Sequence, residues 1–331
     1  MGLKELVNAF GVSGYEDEVR GLIRSEALEY GYEIFEDKVG NLFVHKKGRK
    51  RAMLGAHIDE VGLMIIGIEK DGRLRFRPVG GIDPRVLLAK QVRIGKDKIP
   101  GVIGAIPVHL IEDKDKVLEA KSLYIDIGAR DKADAERYVK PGDYVFFDSP
   151  YQEKDGVVFG KAFDDRVGCL LLLNLIKRDP PPGVIFLFSI QEEVGLRGAK
   201  VVAEHFEPDL FISVEATGAG DLPVREGEPG WPKVGSGPAI TIADRSLIVP
   251  QDVVDLLVAS AERAEVPYQF KRPLIGGTDA GIVGIAKAGI KAGVVAVPVR
   301  YIHSPIGMVK LSDVDNTEAL LFSLLIKTME G

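Results

Sequence analysis

The chain is short of several residue types that usually announce a function. It has one cysteine, one tryptophan and five histidines, and only four asparagines and five glutamines. One cysteine can close no intrachain disulfide. Cys169 stands inside an apolar run without an electropositive neighbour, so it reads as a core thiol rather than a nucleophile. Scarcity of the two amides is a trait of heat-adapted proteins. Long apolar runs are missing too: the longest, Val167 to Ile176, is too short for a bilayer and is flanked by Arg166 and Lys177. Positive charge is not in excess, and a net charge of −6 leaves no basic face for nucleic acid or an anionic membrane. The opening segment MGLKELVNAFGVSGYEDEVR lacks the basic start, apolar centre and small-residue cleavage site of a secretion signal, so a cytoplasmic location is expected.

What remains is a chain of 331 residues, 46% hydrophobic and 28% charged, of a size that favours one large domain plus a smaller one. Its texture changes twice. Residues 1–65 suggest helix, helix, strand, strand, with Tyr15 to Tyr30 at helical spacing, then a buried strand from Ala52 to Ala56. From 66 to 156 short β-like runs alternate with turn signals (Asp71-Gly72, Gly80-Gly81, Pro100-Gly101, Pro141-Gly142, Asp155-Gly156), broken by a short helix at Ala133 to Tyr138. That punctuation suggests a small β-barrel. From 157 to 331 the α/β alternation returns. Helices are expected at Asp165–Lys177, Arg197–His205, Gln251–Ala264 and Asp279–Ala288. Strands are expected at Val184–Ser189, Leu210–Val214, Ala239–Ile242 and Gly293–Val297, with a Gly/Pro-rich loop at 218–238. A last helix opens with a capping box of Ser312 and Asp315. The expected fold is therefore a discontinuous α/β domain, 1–65 and 157–331, interrupted by a β insertion, 66–156.

Five acid and histidine positions close apolar runs in this framework: His57, Asp164, Glu193, Glu215 and His303. Strand ends are where an open α/β sheet carries its functional groups. Two imidazoles and three carboxylates suit a pair of zinc-like ions when one carboxylate bridges them. Asp59, two residues beyond His57 in extended chain, can accept the second imidazole N–H, although a His-x-Asp pair is also commonly structural. Asp164 precedes an apolar helix that Asp165 can cap, with Arg166 as a surface charge. Glu192 and Glu193 follow a buried strand and point to opposite faces, so one can ligate metal while the other serves as general base. Arg197 reads as a surface charge at a helix start, and Asp221 as a brace for the glycine loop. In Gly276-Gly277-Thr278-Asp279-Ala280-Gly281 the glycines either admit substrate to backbone N–H groups or simply precede an N-cap.

AHIDEVG, KAFDDR, QEEVGLRGA, GGTDAG and YIHS, in this order, resemble the tetrahedral (TET) dinuclear metallo-aminopeptidases, also called FrvX-like, some of which carry an endoglucanase label. The resemblance spans essentially the whole chain. It implies a zinc-exopeptidase-like catalytic domain with a mixed sheet, and a PDZ-like β-barrel insertion that mediates dimer formation, six dimers building a hollow homododecamer. It implies one ion, Zn2+ or Co2+, on His57, Asp164 and Glu215, and a second on Asp164, Glu193 and His303. Glu192 would be the general base and Asp59 the carboxylate orienting His57. Position 215 is often Asp in such proteins, and the longer Glu bears on metal preference or pocket size. The implied reaction is release of N-terminal residues from peptides. Three other readings compete: a metal-dependent deacylase of N-acyl amino acids, a glycoside hydrolase, and an inactive scaffold. Adjacent acids do not face each other across a sugar, which disfavours the hydrolase.

Overall fold

The computed structural model describes residues 1–46, 48, 52–110, 117–222 and 230–330. Helices run at α1 (Leu3–Asn8), α2 (Asp17–Leu28), α3 (Lys132–Ala135), α4 (Phe163–Lys177), α5 (Gln251–Arg263), α6 (Asp279–Gly284) and α7 (Leu311–Glu330). The strands of the first half are β1 (Glu33–Glu36), β2 (Leu42–His45), β3 (Ala52–His57), β4 (Gly62–Ile68), β5 (Leu74–Val79), β6 (Gln91–Ile94), β7 (Ile99–Gly104), β8 (Tyr124–Asp126) and β9 (Tyr144–Phe147). The rest are β10 (Gln152–Lys154), β11 (Val157–Gly160), β12 (Val184–Ser189), β13 (Leu210–Gly218), β14 (Ala239–Thr241), β15 (Gln269–Lys271), β16 (Lys291–Val299) and β17 (Gly307–Lys310).

One mixed sheet of eight strands has the order β1-β2-β12-β3-β13-β16-β14-β15, and its four central strands are parallel. Those strands are predominantly apolar because both faces are covered. On β12, Val184, Phe186 and Phe188 face a core shared with α4 and α7, while Ile185 and Leu187 face a second core shared with α6. β3 and β13 divide the same way, Leu54 and Ile212 to one side and Met53 and Phe211 to the other. Between β3 and α4 the chain leaves to build a closed six-stranded barrel, β4-β5-β8-β7-β6-β9. Alternate residues fill it: Leu63, Ile65, Leu74, Phe76, Val92, Ile94, Val145 and Phe147. The α/β body interrupted by a small barrel is thus the architecture the sequence leads one to expect. Among the described residues no helix is long and apolar enough to cross a membrane.

Local departures have physical causes. The helix expected at Arg197–His205 is a 3-10 segment, Ala199–Glu204. Gly198 donates its N–H to the Ile190 carbonyl (3.0 Å) and its own carbonyl accepts from Asn41 (3.0 Å), which holds the chain against the end of β12. The capping box at Ser312 does not form, since α7 already begins at Leu311. Asp313 instead accepts the N–H groups of Gly235 (2.6 Å) and Gly237 (2.9 Å), which ties the helix start to the glycine loop. Part of that loop, residues 223–229, lies outside the described residues.

Arg166 is not a surface charge. It is fully buried and joins Glu60 and Lys161 in an ion cluster inside the protein. Lys161 donates to both Glu60 oxygens (2.7 and 2.8 Å) and to the Ala9 carbonyl (2.7 Å). Arg166 donates to Glu60 (3.2 Å), Ile58 (3.1 Å) and Leu6 (2.6 Å). The cluster clips the N-terminal segment, the entry to the barrel and the start of α4 together. Removing one member of a buried ion group strands the others without compensation, at roughly 3–5 kcal/mol. Glu60→Gln is therefore expected to lower stability by about that amount, read as an earlier midpoint in chemical denaturation.

Candidate metal centre

All five expected ligand positions meet at the carboxyl edge of the parallel strands. His57 ends β3, paired in register with Ser189 at the end of β12. Glu192 and Glu193 follow three and four residues later in the turn after β12. Glu215 lies within β13 rather than at its end, because β13 stays paired with β16 along nine residues, to Gly218. There it shares a face with Ser213, whose hydroxyl donates to Glu215 Oε1 at 2.6 Å. His303 sits in the turn between β16 and β17, which Arg300 and Met308 close with reciprocal backbone bonds.

Asp164 stands between the two imidazoles. Its Oδ1 lies 3.1 Å from His57 Nε2 and its Oδ2 lies 3.1 Å from His303 Nε2. His57 Nε2 is also 3.7 Å from Glu215 Oε2, and His303 Nε2 is 3.4 Å from Glu193 Oε2. Within each of two sets, the donor atoms lie within 4.8 Å of one another and could hold an ion: His57, Asp164 and Glu193, and His57, Asp165 and Glu215. These sets share His57, whereas the resemblance leads one to expect Asp164 as the shared ligand. They also bring in Asp165. That residue does cap its helix, accepting the Gly168 N–H at 3.1 Å, but its other oxygen accepts the His57 backbone N–H at 3.3 Å. It is fully buried at the floor of the site.

Asp59 does more than its spacing suggests. His57 Nδ1 is 3.1 Å from the Asp59 carbonyl oxygen and 3.4 Å from its Oδ1, an arrangement that leaves Nε2 free as a ligand. The Asp59 carboxylate also accepts the backbone N–H groups of Glu192 (3.0 Å) and Glu193 (3.2 Å) and the Ser13 hydroxyl (2.6 Å). One buried side chain therefore holds both an imidazole and the turn that carries two acids. The bonds to Glu192 and Glu193 leave no trace in local spacing, because they join residues more than 130 positions apart. Asp279, on α6, accepts the Ser189 hydroxyl at 2.5 Å and adds a further buried acid to this edge of the sheet. Thr278 precedes α6 but makes no side-chain cap bond. Asp221 braces the glycine loop as expected, accepting the Val234 N–H (3.1 Å) and a two-pronged contact from Arg300 (2.7 Å each). Cys169 is buried, and burial pushes its thiol pKa up.

The barrel completes the wall. At Gly80, φ is +83°, and a Cβ there would stand 2.8 Å from Val61 and 3.4 Å from the Glu193 Cβ. At Gly81 a Cβ would stand 3.6 Å from His303 Nδ1. At Gly80 both the left-handed backbone and the closeness of Val61 require the missing side chain, while Gly81 brings the turn into ordinary contact with His303.

Charge decides what the site can hold. Asp59, Asp164, Asp165, Glu192, Glu193, Glu215 and Asp279 converge on two imidazoles. Burial, then neighbouring acids, pushes Glu193 and Glu215 up to about 8 and Glu192 up to about 11. Burial opposes ionisation of Asp164 too, but its bonds to His303 and His57 hold it well below the usual carboxylate range. Burial disfavours charge on His303 as well, yet the Asp164 bond and the Glu193 charge raise it to about 9. Glu193 Oε1 is buried with no hydrogen-bond partner. An excess of buried carboxylates, an orphaned oxygen and two imidazoles whose Nε2 atoms face the same carboxylate fit divalent cations of the zinc type. Chelation is therefore expected to lower the thermal midpoint and metal to restore it, by about 2.7 kcal/mol of stability when free metal is near 100 times its Kd. Asp59→Asn is expected to weaken metal affinity roughly 10–100-fold in a chelator competition.

The sequence profile of a family described as M42 glutamyl aminopeptidase matches residues 40–320. The fold is similar to that of the TET aminopeptidase from the marine sediment archaeon Thaumarchaeota archaeon SCGC AB-539-E09, with a TM-score of 0.94, 35% identity, and 99% and 98% of the two chains covered. It is also similar to aminopeptidase APDkam598 of Desulfurococcus kamchatkensis, with a TM-score of 0.93, 36% identity, and 98% and 93% covered. A third similar structure is the Pyrococcus horikoshii TET1 peptidase, described as assembling into a tetrahedron or a large octahedral shell; its TM-score is 0.87 at 35% identity, with 97% of each chain covered.

Proposed function

This chain belongs to the M42 glutamyl aminopeptidase family, and from that membership we propose that it is a metal-dependent aminopeptidase releasing N-terminal residues from peptides, with Glu192 as general base. The observation that carries this reading is the pair of donor sets around His57, adjoined by an acid, Glu192, that belongs to neither.

His57, Asp164, Glu193, Glu215 and His303 would hold two ions, Zn2+ or Co2+, with Asp165 close enough to His57 and Glu215 to take part. Bound divalent ions lower the pKa of a water toward about 7 and polarise a carbonyl. Glu192 takes the water proton and returns it to the leaving amine, a role worth roughly 10²–10⁴-fold. Its high proton affinity comes first from burial and then from Glu215, Asp279 and Glu193, and cations among those acids would bring it down into the working range of a base. Asp59 holds Glu192 in place through its backbone N–H. Asp164 keeps an oxygen on each imidazole, so the two histidines stay aligned.

Glu192→Gln is expected to cut turnover of aminoacyl p-nitroanilides by about 10²–10⁴ with metal content unchanged; near-full activity would remove Glu192 from the base role. A free-amine peptide should be cleaved and its N-acetylated form left intact. Preference for the acetylated form would make the protein a deacylase. We further propose a cytoplasmic protein, without nucleic-acid or membrane partners, that pairs through its barrel and assembles into a homododecamer of six dimers. A native mass of twelve chains by light scattering is the expected result, and a monomer would refute it.

A further inference from the structure

We propose that Asn41 is a positioning residue for the hydrolysis: its buried amide closes the neck of the turn that carries Glu192 and Glu193, and sets both acids in place before an ion binds. This rests on the reading above, in which Glu193 holds metal and Glu192 is the base.

The turn leaves β12 after Ser189 and folds back on itself by Gly198. Gly198 donates its N–H to the Ile190 carbonyl (3.0 Å), Arg197 to that of Gln191 (3.1 Å) and Leu196 to that of Glu192 (2.8 Å). Gln191 and Leu196, on either side of the two acids, sit at φ +53° and +56°. Side chains disfavour that left-handed region, and a backbone keeps it only where surrounding contacts fix it.

Asn41 supplies the contact at the neck. It lies fully buried in the turn between β1 and β2 and stands between the Ile190 N–H and the Gly198 carbonyl. Its Oδ1 accepts from Ile190 at 3.1 Å, and its Nδ2 donates to Gly198 at 3.0 Å. The remaining amide proton goes to Asp37 Oδ2 at 2.8 Å. Asp37 Oδ1 in turn accepts the N–H groups of Val39 (3.0 Å), Gly40 (2.9 Å) and Asn41 (2.9 Å). One donor and two acceptors around the amide allow it a single orientation. A Cβ at Gly198 would overlap Asn41 Oδ1 and come within 2.6 Å of the Ile190 carbonyl oxygen, so glycine there leaves room for the clamp.

Asp59 holds the same turn through the Glu192 and Glu193 N–H groups, but it also bears on His57. The side-chain bonds of Asn41 go to Ile190, Gly198 and Asp37. The donor set of His57, Asp165 and Glu215 comes from β3, α4 and β13, whereas the set containing Glu193 depends on the turn. Loosening the neck should therefore cost one ion and spare the other.

Two variants loosen it from opposite sides. Asn41→Asp keeps an acceptor for Ile190 but sets a carboxylate oxygen against the Gly198 carbonyl and Asp37, and Gly198→Ala drives a methyl group into the amide. In chelator competition each is expected to weaken one of the two ions about 10–100-fold and leave the other unchanged. Turnover of leucyl p-nitroanilide should fall in kcat by a similar factor, about 10–100-fold, with KM unchanged. A folded variant that weakens both ions equally, or neither, overturns the proposal and leaves Asn41 a role in the fold alone. Amide hydrogen exchange on the unaltered chain decides the matter even if both variants fail to fold. Protection over residues 190–198 should already be present in the metal-free protein. Protection that arises only with metal would show that the ions, not Asn41, order the turn. If the unaltered chain with both ions bound turns over no aminoacyl anilide, the aminopeptidase reading fails instead, while ion affinities and exchange still read the clamp.

Discussion

Mutual repulsion among buried carboxylates is the constraint on which this structure turns. The carboxyl edge of a parallel sheet gathers Asp59, Asp164, Asp165, Glu192, Glu193, Glu215 and Asp279 around two imidazoles. Water is largely excluded there, so like charges are screened little and burial adds to their cost. Hydrogen bonds relieve part of it. Ser189 donates to Asp279, Ser213 to Glu215, Ser13 to Asp59, and backbone N–H groups serve Asp59 and Asp165. The rest calls for positive charge, which a pair of divalent ions supplies. The same arrangement that is costly without cations is suited to hold them.

The surrounding fold keeps that edge in shape. The four parallel strands are clamped by apolar cores on both faces, and α4 runs from Asp164 into the thicker of the two. Glu60, Lys161 and Arg166 then lock the entry of the barrel to the start of α4 and to the N-terminal segment. The barrel is held where its Gly80-Gly81 turn and Phe147 close one side of the site. An insertion that could have been a separate appendage is part of the wall.

The legible part of the sequence was the part written in local pattern. Apolar runs ending in His57 and in Glu192-Glu193 marked two strands and their ends. Turn pairs such as Asp71-Gly72 and Pro100-Gly101 marked the barrel strands, and the buried thiol of Cys169 followed from its neighbours. What escaped had partners far away in the chain. Arg166 looks like any charge at a helix start until Glu60, 106 residues earlier, is placed against it. Asp59 looks like a companion of His57 alone, yet most of its bonds go to Ser13, Glu192 and Glu193. Glu215 reads as a strand end because its own segment stops being apolar there, while the strand continues through its pairing with β16.

By itself, then, the sequence determined the alternation of elements, the inserted barrel and the inventory of acids and histidines. Strand and helix periodicity and turn chemistry are properties of neighbouring residues, and any reader of the chain meets them in order. Tertiary structure alone decided that Asp164 gives one oxygen to each imidazole, that Asp165 shares the floor with Glu215, and that Lys161 and Glu60 satisfy one another inside the protein. Those are distances between segments fifty or more residues apart, set by how the sheet and the barrel pack, and no local pattern encodes them.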